Sequence, residues 1–371
     1  MNIPPFTLER YFAKYEFSAK YMLSSSDCES LTLPELLEMG SPEMRKTFFE
    51  LKLGYTESSG HPQLRAEAAS IYKNINADDV LVAAPEEAIF LLMHALLQPG
   101  DHVISTFPGY QSLYEIAGSI GCQLSRWEPV EAENWHFDLA RLEALITPQT
   151  KLVVVNFPHN PTGTIPSHAE FDALIGMLRE RGIYLLSDEM YRFLEIESGA
   201  TLTSACEAYE RAFSLFGMSK TFGLPGLRIG WIATQDAATL ARMLELKDYT
   251  TICSSAPSEI LSIIALQNKQ TIIDTQNARL ARNFALLDEF MTARPERFQL
   301  NRPRGGSICF PRILGVENTL DFADTLVAEA GIMIAPSHVF DYGNQHFRIG
   351  FGRENFGEVL ELFGKYVDAL K

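Results

Sequence analysis

What this chain has little of narrows its function first. Basic residues are outnumbered, 31 Lys and Arg against 47 Asp and Glu, for a formal net charge of −16. A nucleic-acid binder needs a basic face for phosphates, so that class is not expected. Cysteine is scarce: Cys28, Cys122, Cys206, Cys253 and Cys309 lie far apart, with no C-x-x-C pair. Scattered single thiols exclude a disulfide framework as the organising element and fit a reducing compartment. The eight histidines show neither H-E-x-x-H nor clustered ligand spacing, so no metal site is expected. Long apolar runs are missing; VLVAAPEEAIFLLMHALL is broken by Glu86 and Glu87 and falls short of a bilayer span. The opening MNIPPFTLERYFAKYEF has no apolar h-region of a secretory signal. The expectation is a soluble, cytoplasmic protein without nucleic-acid or membrane partners.

What is present reads as an α/β enzyme. Hydrophobic residues make up 46% and charged residues 21%, an ordinary globular mixture. At 371 residues the chain is long for one core and suggests a large domain with a smaller partner. Between about Asp79 and Ile232, β-rich runs alternate with amphipathic helical stretches: DVLVAA, HVIST, QLSRW, KLVVVNF, IYLLSD, AFSLFG and RIGWIA. Such alternation predicts a mostly parallel central sheet with helices on both faces. After about Lys269 a long helical pattern is followed by short strands, SICFPRI and HFRIGFG, and a closing helix. The predicted organisation is an arm over 1–40, a large domain over 41–270 and a smaller α/β C-terminal domain over 271–371. The arm is expected to join the small domain and the active site.

Ligands of such sheets sit beyond the carboxyl ends of the strands, and the unusual residues fall there. KLVVVNF runs into PHNPTG, which puts Asn160 at a strand end, although Asn-Pro turns are common. IYLLSD ends on Asp188, with Tyr191 three residues on. A carboxylate at the end of an apolar strand is costly without a cationic or N–H partner. The third stretch, SLFGMSKTFGLPGLRIGW, sets Lys220 beside Ser219 and ahead of a glycine-rich turn and Arg228. A lysine there can form an imine if burial and neighbouring cations lower its pKa. Arg228 offers a fork suited to phosphate.

These three stations, in this order, resemble pyridoxal-phosphate (PLP) enzymes of fold type I, the class I/II aminotransferase superfamily, over nearly the whole chain. The resemblance implies pyridoxal 5′-phosphate held by Lys220, which later moves the substrate's Cα proton. It implies Asp188 on the ring nitrogen, Asn160 and Tyr191 on the ring's phenolic oxygen, and Tyr110 of FPGY stacked on the ring. Ser219, Arg228 and the amides around Glu86 and Glu87 would hold the phosphate. Tyr55, in GYTESSGHPQLR, would reach the phosphate of the other subunit of a homodimer. Arg348, in HFRIGFG, would clamp the α-carboxylate of an amino acid substrate, with Asn160 beside it.

Two departures from the family pattern stand out. The phosphate turn reads VAAPEEAI, where Pro85 has no N–H to give and a Glu86 carboxylate cannot donate. Glu86 is therefore expected to point away and offer only its amide. Gly217 stands where many relatives carry a phosphate-binding serine.

Two reactions remain open. One is transamination. The other is elimination and ring closure on a hydroxylated arginine, as in capreomycidine- and enduracididine-forming enzymes, which the phosphate turn and the Gly-Met-Ser-Lys segment resemble. The arm FTLERYFAKYEFSAKYMLSSSDCES carries Glu9, Glu16, Asp27 and Glu29 alongside Ser24, Ser25 and Ser26. An acidic arm folded over the site can pair with a guanidinium, with Glu9 and Asp27 as the expected substrate contacts. A non-enzymatic cofactor-binding regulator would need an extra DNA-binding domain and a less acidic chain. Tyr15, Phe17 and Tyr21 are expected to pack, and His159 to be structural.

Overall fold

The computed structural model describes residues 2–370. All seven β-rich runs become strands of one sheet: β1 (Val80–Ala83), β2 (His102–Thr106), β3 (Gln123–Trp127), β4 (Thr150–Asn156), β5 (Tyr184–Asp188), β6 (Ala212–Gly217) and β7 (Gly230–Thr234). Their order across the sheet is β1-β7-β6-β5-β4-β2-β3. Only β7 runs against its neighbours β1 and β6, and the other contacts are parallel.

Strand β4 shows why this sheet is internal. Leu152 and Val154 pack into the core on one face, and Val153 and Val155 into the core on the other. A strand with apolar residues at every position is stable only when both faces are covered. Helices Pro85–Leu96, Ser112–Ile120 and Ala237–Lys247 cover the first face, through Ile89, Ile116 and Met243. Helix His168–Arg181 covers the second through Phe171, Leu174 and Leu178. It starts at a capping box in which Ser167 and Glu170 satisfy each other's backbone N–H groups.

A separate core forms where the two ends of the chain meet. Leu8 and Tyr11 of helix Thr7–Tyr15 pack with Leu287 of helix Lys269–Thr292, Phe363 of helix Phe356–Ala369, and Phe347. Phe347–Gly350 forms the middle strand of a three-stranded sheet, between Ile308–Cys309 and Ala335–Pro336. The arm then threads along this unit. Tyr21–Met22 pairs with Ile332–Met333, and Gly350 N donates to Leu23 O at 2.9 Å. One packing expectation fails: Phe17 is 93% exposed in the turn that ends the first helix. No helix among the described residues is long and apolar enough to cross a membrane.

Candidate active site

Beyond the carboxyl ends of β4, β5 and β6 lies a cavity of about 640 Å³. Glu9, Asp27, Glu86, Tyr110, Asn160, Asp188, Tyr191, Ser219, Lys220, Arg228 and Arg348 all line it, whereas Tyr55 and Glu87 do not. Residues from both ends of the chain and from three adjacent strands therefore converge on one space.

Asp188 is the last residue of β5, opposite Asn156 at the end of β4. Its carboxylate is buried and accepts from Met190 N at 3.0 Å. Among the described residues no cation stands within ion-pair distance of it. Burial is the main cause that lifts its pKa from an ordinary 3.8 to about 7; the Met190 N–H and, more weakly, Lys220 act against the rise. Asn156 fixes the neighbourhood by donating from Nδ2 to Asp188 O at 3.0 Å and accepting from Asn160 N at 2.6 Å. The Tyr191 hydroxyl is buried in the same cavity wall without a protein partner.

Arg348 is the opposite charge. It is 2% exposed, and burial pulls its pKa below the usual guanidinium value. Nη1 donates to Asn160 Oδ1 at 3.2 Å and Nη2 to Ser24 O at 3.0 Å, while Nε has no partner. The rings of Phe12 and Phe340 flank it at 5.7 and 5.3 Å. Among the described residues no carboxylate comes within ion-pair distance. A buried guanidinium without an anion is costly, and the missing partner has the shape of a bidentate carboxylate.

At the other end of the cavity one expectation is corrected. Glu86 does not point away. Its Oε2 pairs with Arg228 Nη2 at 3.2 Å and its Oε1 accepts from the Tyr110 hydroxyl at 3.2 Å. The cause is proximity: the helix Pro85–Leu96 begins within reach of both groups, and its first turn carries no side-chain cap. Glu87 turns out of the site and accepts from the Thr251 hydroxyl at 2.8 Å. Tyr55 is 89% exposed and sits outside this chain's own cavity. Gly217 is explained by space, since a Cβ there would lie 2.9 Å from Gly230 Cα.

Tyr110 is gripped from two sides. Its single O–H is shared between two acceptors, Glu9 Oε1 at 2.9 Å being nearer than Glu86 Oε1, and Phe6 lies against its ring at 4.8 Å between centroids. Burial and the two carboxylates raise its pKa far above the usual phenol value. Asp27 is already paired, with Arg353 Nη2 at 2.7 Å. Glu16 is the third carboxylate that the arm brings to the wall; burial, then Glu9 and Asp27, raise its pKa. Ser26 accepts from Lys220 Nζ at 2.8 Å. Glu16 and Ser26 belong to the acidic, serine-rich arm expected over the site, whereas Phe12 and Arg353 carry no sequence signal of their own. The arm's mixture of carboxylates and serines was visible, but the contacts across the cavity were not.

A buried carboxylate without a cation, a buried guanidinium without an anion and a lysine line one cavity, the arrangement of a PLP-dependent enzyme of the aminotransferase fold. The chain belongs to the family Aminotransferase class I and II, which it matches over residues 21–361. Capreomycidine synthase from Streptomyces vinaceus is 30% identical to it over 357 residues, 94% of this chain and 90% of that protein. A PLP-dependent aminotransferase from Streptococcus suis superposes with a TM-score of 0.94 at 31% identity, covering 100% of this chain and 99% of the other. The PLP-dependent cyclase OrfR superposes at 0.87 and 26% identity, covering 99% and 97%. The residues present fit the family's cofactor. Asp188 lacks the cation that a pyridinium N–H supplies, and the Tyr191 hydroxyl lacks the partner that a phenolic oxygen supplies.

Proposed function

We propose that the chain acts on an α-amino acid through pyridoxal 5′-phosphate, removing the Cα proton with Lys220. Bound there, the cofactor supplies a ring that withdraws charge from the substrate's Cα. Asp188 holds the ring nitrogen protonated, while Asn160 and Tyr191 bond the phenolic oxygen. Ser219 and Arg228 take the phosphate, with backbone N–H groups at the start of helix Pro85–Leu96. Arg348 orients the α-carboxylate, which sets Cα against the Lys220 amine. Residues 41–270 bind the cofactor, and residues 271–371 with the 1–40 arm enclose the substrate. The observation that carries this reading is the pairing of two unsatisfied buried charges, Asp188 and Arg348, in one cavity with Lys220.

The active unit is a homodimer in which Tyr55 completes the partner's phosphate site. Support comes from the exposure of Phe49 (74%), Leu53 (84%) and Tyr55 along one short stretch. A cytoplasmic location belongs to the same reading and is supported by the five free cysteines.

Transamination is the first reading of the reaction. Elimination and ring closure on a hydroxylated arginine is the second, favoured by the three carboxylates Glu9, Glu16 and Asp27 on the cavity wall. Of these, Glu9 and Glu16 are free of an ion partner among the described residues. The test is to incubate the purified enzyme with amino acids, hydroxylated arginines included, and weigh the products. A keto acid with aminated cofactor gives the first reading, and loss of water with the amino group retained gives the second. No α-hydrogen exchange with deuterated solvent for any amino acid overturns both.

A further inference from the structure

We propose that Ser26 is the positioning residue for Lys220: its hydroxyl holds the lysine amine where that amine collects and returns the Cα proton. The inference rests on the reading that Lys220 moves this proton.

Lys220 sits three residues past the end of β6, on a flexible four-carbon stem. Its Nζ donates to Ser26 Oγ at 2.8 Å, and no carboxylate lies within ion-pair distance among the described residues. A long side chain with one polar anchor is only as well placed as that anchor.

The anchor is built into the backbone. Leu23 O accepts from Gly350 N at 2.9 Å, and Glu29 N donates to Gly352 O at 3.0 Å, so the stretch is tied at both ends. Between them, Ser24 O accepts from Arg348 at 3.0 Å and Ser26 O from the Ser307 hydroxyl at 2.7 Å. The approach is so close that a Cβ on Gly350 would fall 1.6 Å from Ser25 O. Ser26 itself has one side-chain torsion, so this fixed backbone leaves its Oγ only three staggered positions, and the one occupied meets Lys220 Nζ.

A hydroxyl suits the task chemically. It accepts from an ammonium and donates to a neutral amine, so one partner serves both states of the lysine. When the Cα–H bond breaks, the proton goes to Nζ, the electron pair stays at Cα, and Ser26 only turns its O–H. Return of the proton reverses this, with no net change at Ser26. The same stretch also touches Arg348 through Ser24 O, so the carboxylate clamp and the proton carrier share one support.

The experiment compares cofactor-loaded wild type, Ser26→Ala and Ser26→Thr. It follows exchange of the substrate α-hydrogen with deuterated solvent, together with kcat, KM, bound cofactor and melting temperature. In Ser26→Ala, exchange and kcat should fall about ten- to a hundredfold, with KM and cofactor content held within about twofold. Ser26→Thr should recover most of the loss, because it keeps the hydroxyl. Wild-type exchange in Ser26→Ala, or a threonine variant no better than the alanine one, overturns the proposal. Wild type that exchanges no α-hydrogen at all fails the Lys220 reading itself, which separates the two.

Discussion

Glu86 and Arg228 form an ion pair at 3.2 Å where the helix Pro85–Leu96 begins, with Tyr110 as a third member. The protein thus places its own carboxylate on the guanidinium assigned to the cofactor phosphate. Both side chains are half exposed, and such pairs are worth about 0.2–1 kcal/mol. Glu86→Gln removes the competitor and its repulsion toward a phosphate dianion. Titration of apoenzyme with pyridoxal 5′-phosphate should show affinity tightened by up to about fivefold. Weaker binding would make Glu86 a support of the phosphate site instead.

Asp188 sets a pH dependence. Its folded pKa, raised to about 7, lies above its ordinary 3.8, so the folded apoenzyme holds a proton that the unfolded chain has lost. That contribution is present below about pH 4 and is lost as pH rises to about 7. Asp188→Asn cannot ionise, so it escapes the cost of a buried carboxylate above about pH 7. At pH 8 the apo variant should melt about 2–4 °C above apo wild type, yet bind cofactor more weakly. A variant that melts lower and binds equally well would contradict the ring-nitrogen role.

Arg348, proposed to bind the substrate carboxylate, is buried. Arg348→Ala should cost about 2–5 kcal/mol in kcat/KM, expressed mainly in KM, with the cofactor still bound. Loss of cofactor with KM unchanged would put Arg348 on the wrong ligand.

The role proposed for Tyr55 would tie activity to assembly. Sedimentation should give a dimer at assay concentration, and Tyr55→Phe should weaken cofactor binding by about 1 kcal/mol, the net worth of one hydrogen bond. A fully active monomer would contradict the shared site.

Much of this arrangement was legible in the chain. The seven strands were visible because runs such as Leu152–Val155 are apolar at every position, which only a doubly covered sheet tolerates. Asp188 stood out because a carboxylate at the end of an apolar strand needs a partner, Lys220 and Arg228 through the spacing of their glycine-rich segment, and Arg348 through the family resemblance alone. The reversed direction of β7 carries no such signature, since an apolar run has no polarity. Glu86 was misjudged because its direction depends on Arg228 and Tyr110, 142 and 24 positions away. Ser26 meets Lys220 across 194 positions, a contact that local pattern cannot encode. Phe17 shows the converse limit: an aromatic inside an amphipathic pattern was assigned to a core that the helix ends too early to reach.

The covalent role proposed for Lys220 underlies all of this, and Lys220→Ala should lower turnover at least about 10²- to 10⁴-fold while cofactor still binds. The most direct measurement reduces the cofactor-loaded protein with borohydride and maps its peptides by mass. The account predicts a single pyridoxyl phosphate adduct on Lys220, absent from Lys220→Ala. Label on another lysine, or protein that takes up no pyridoxal 5′-phosphate at all, would contradict it.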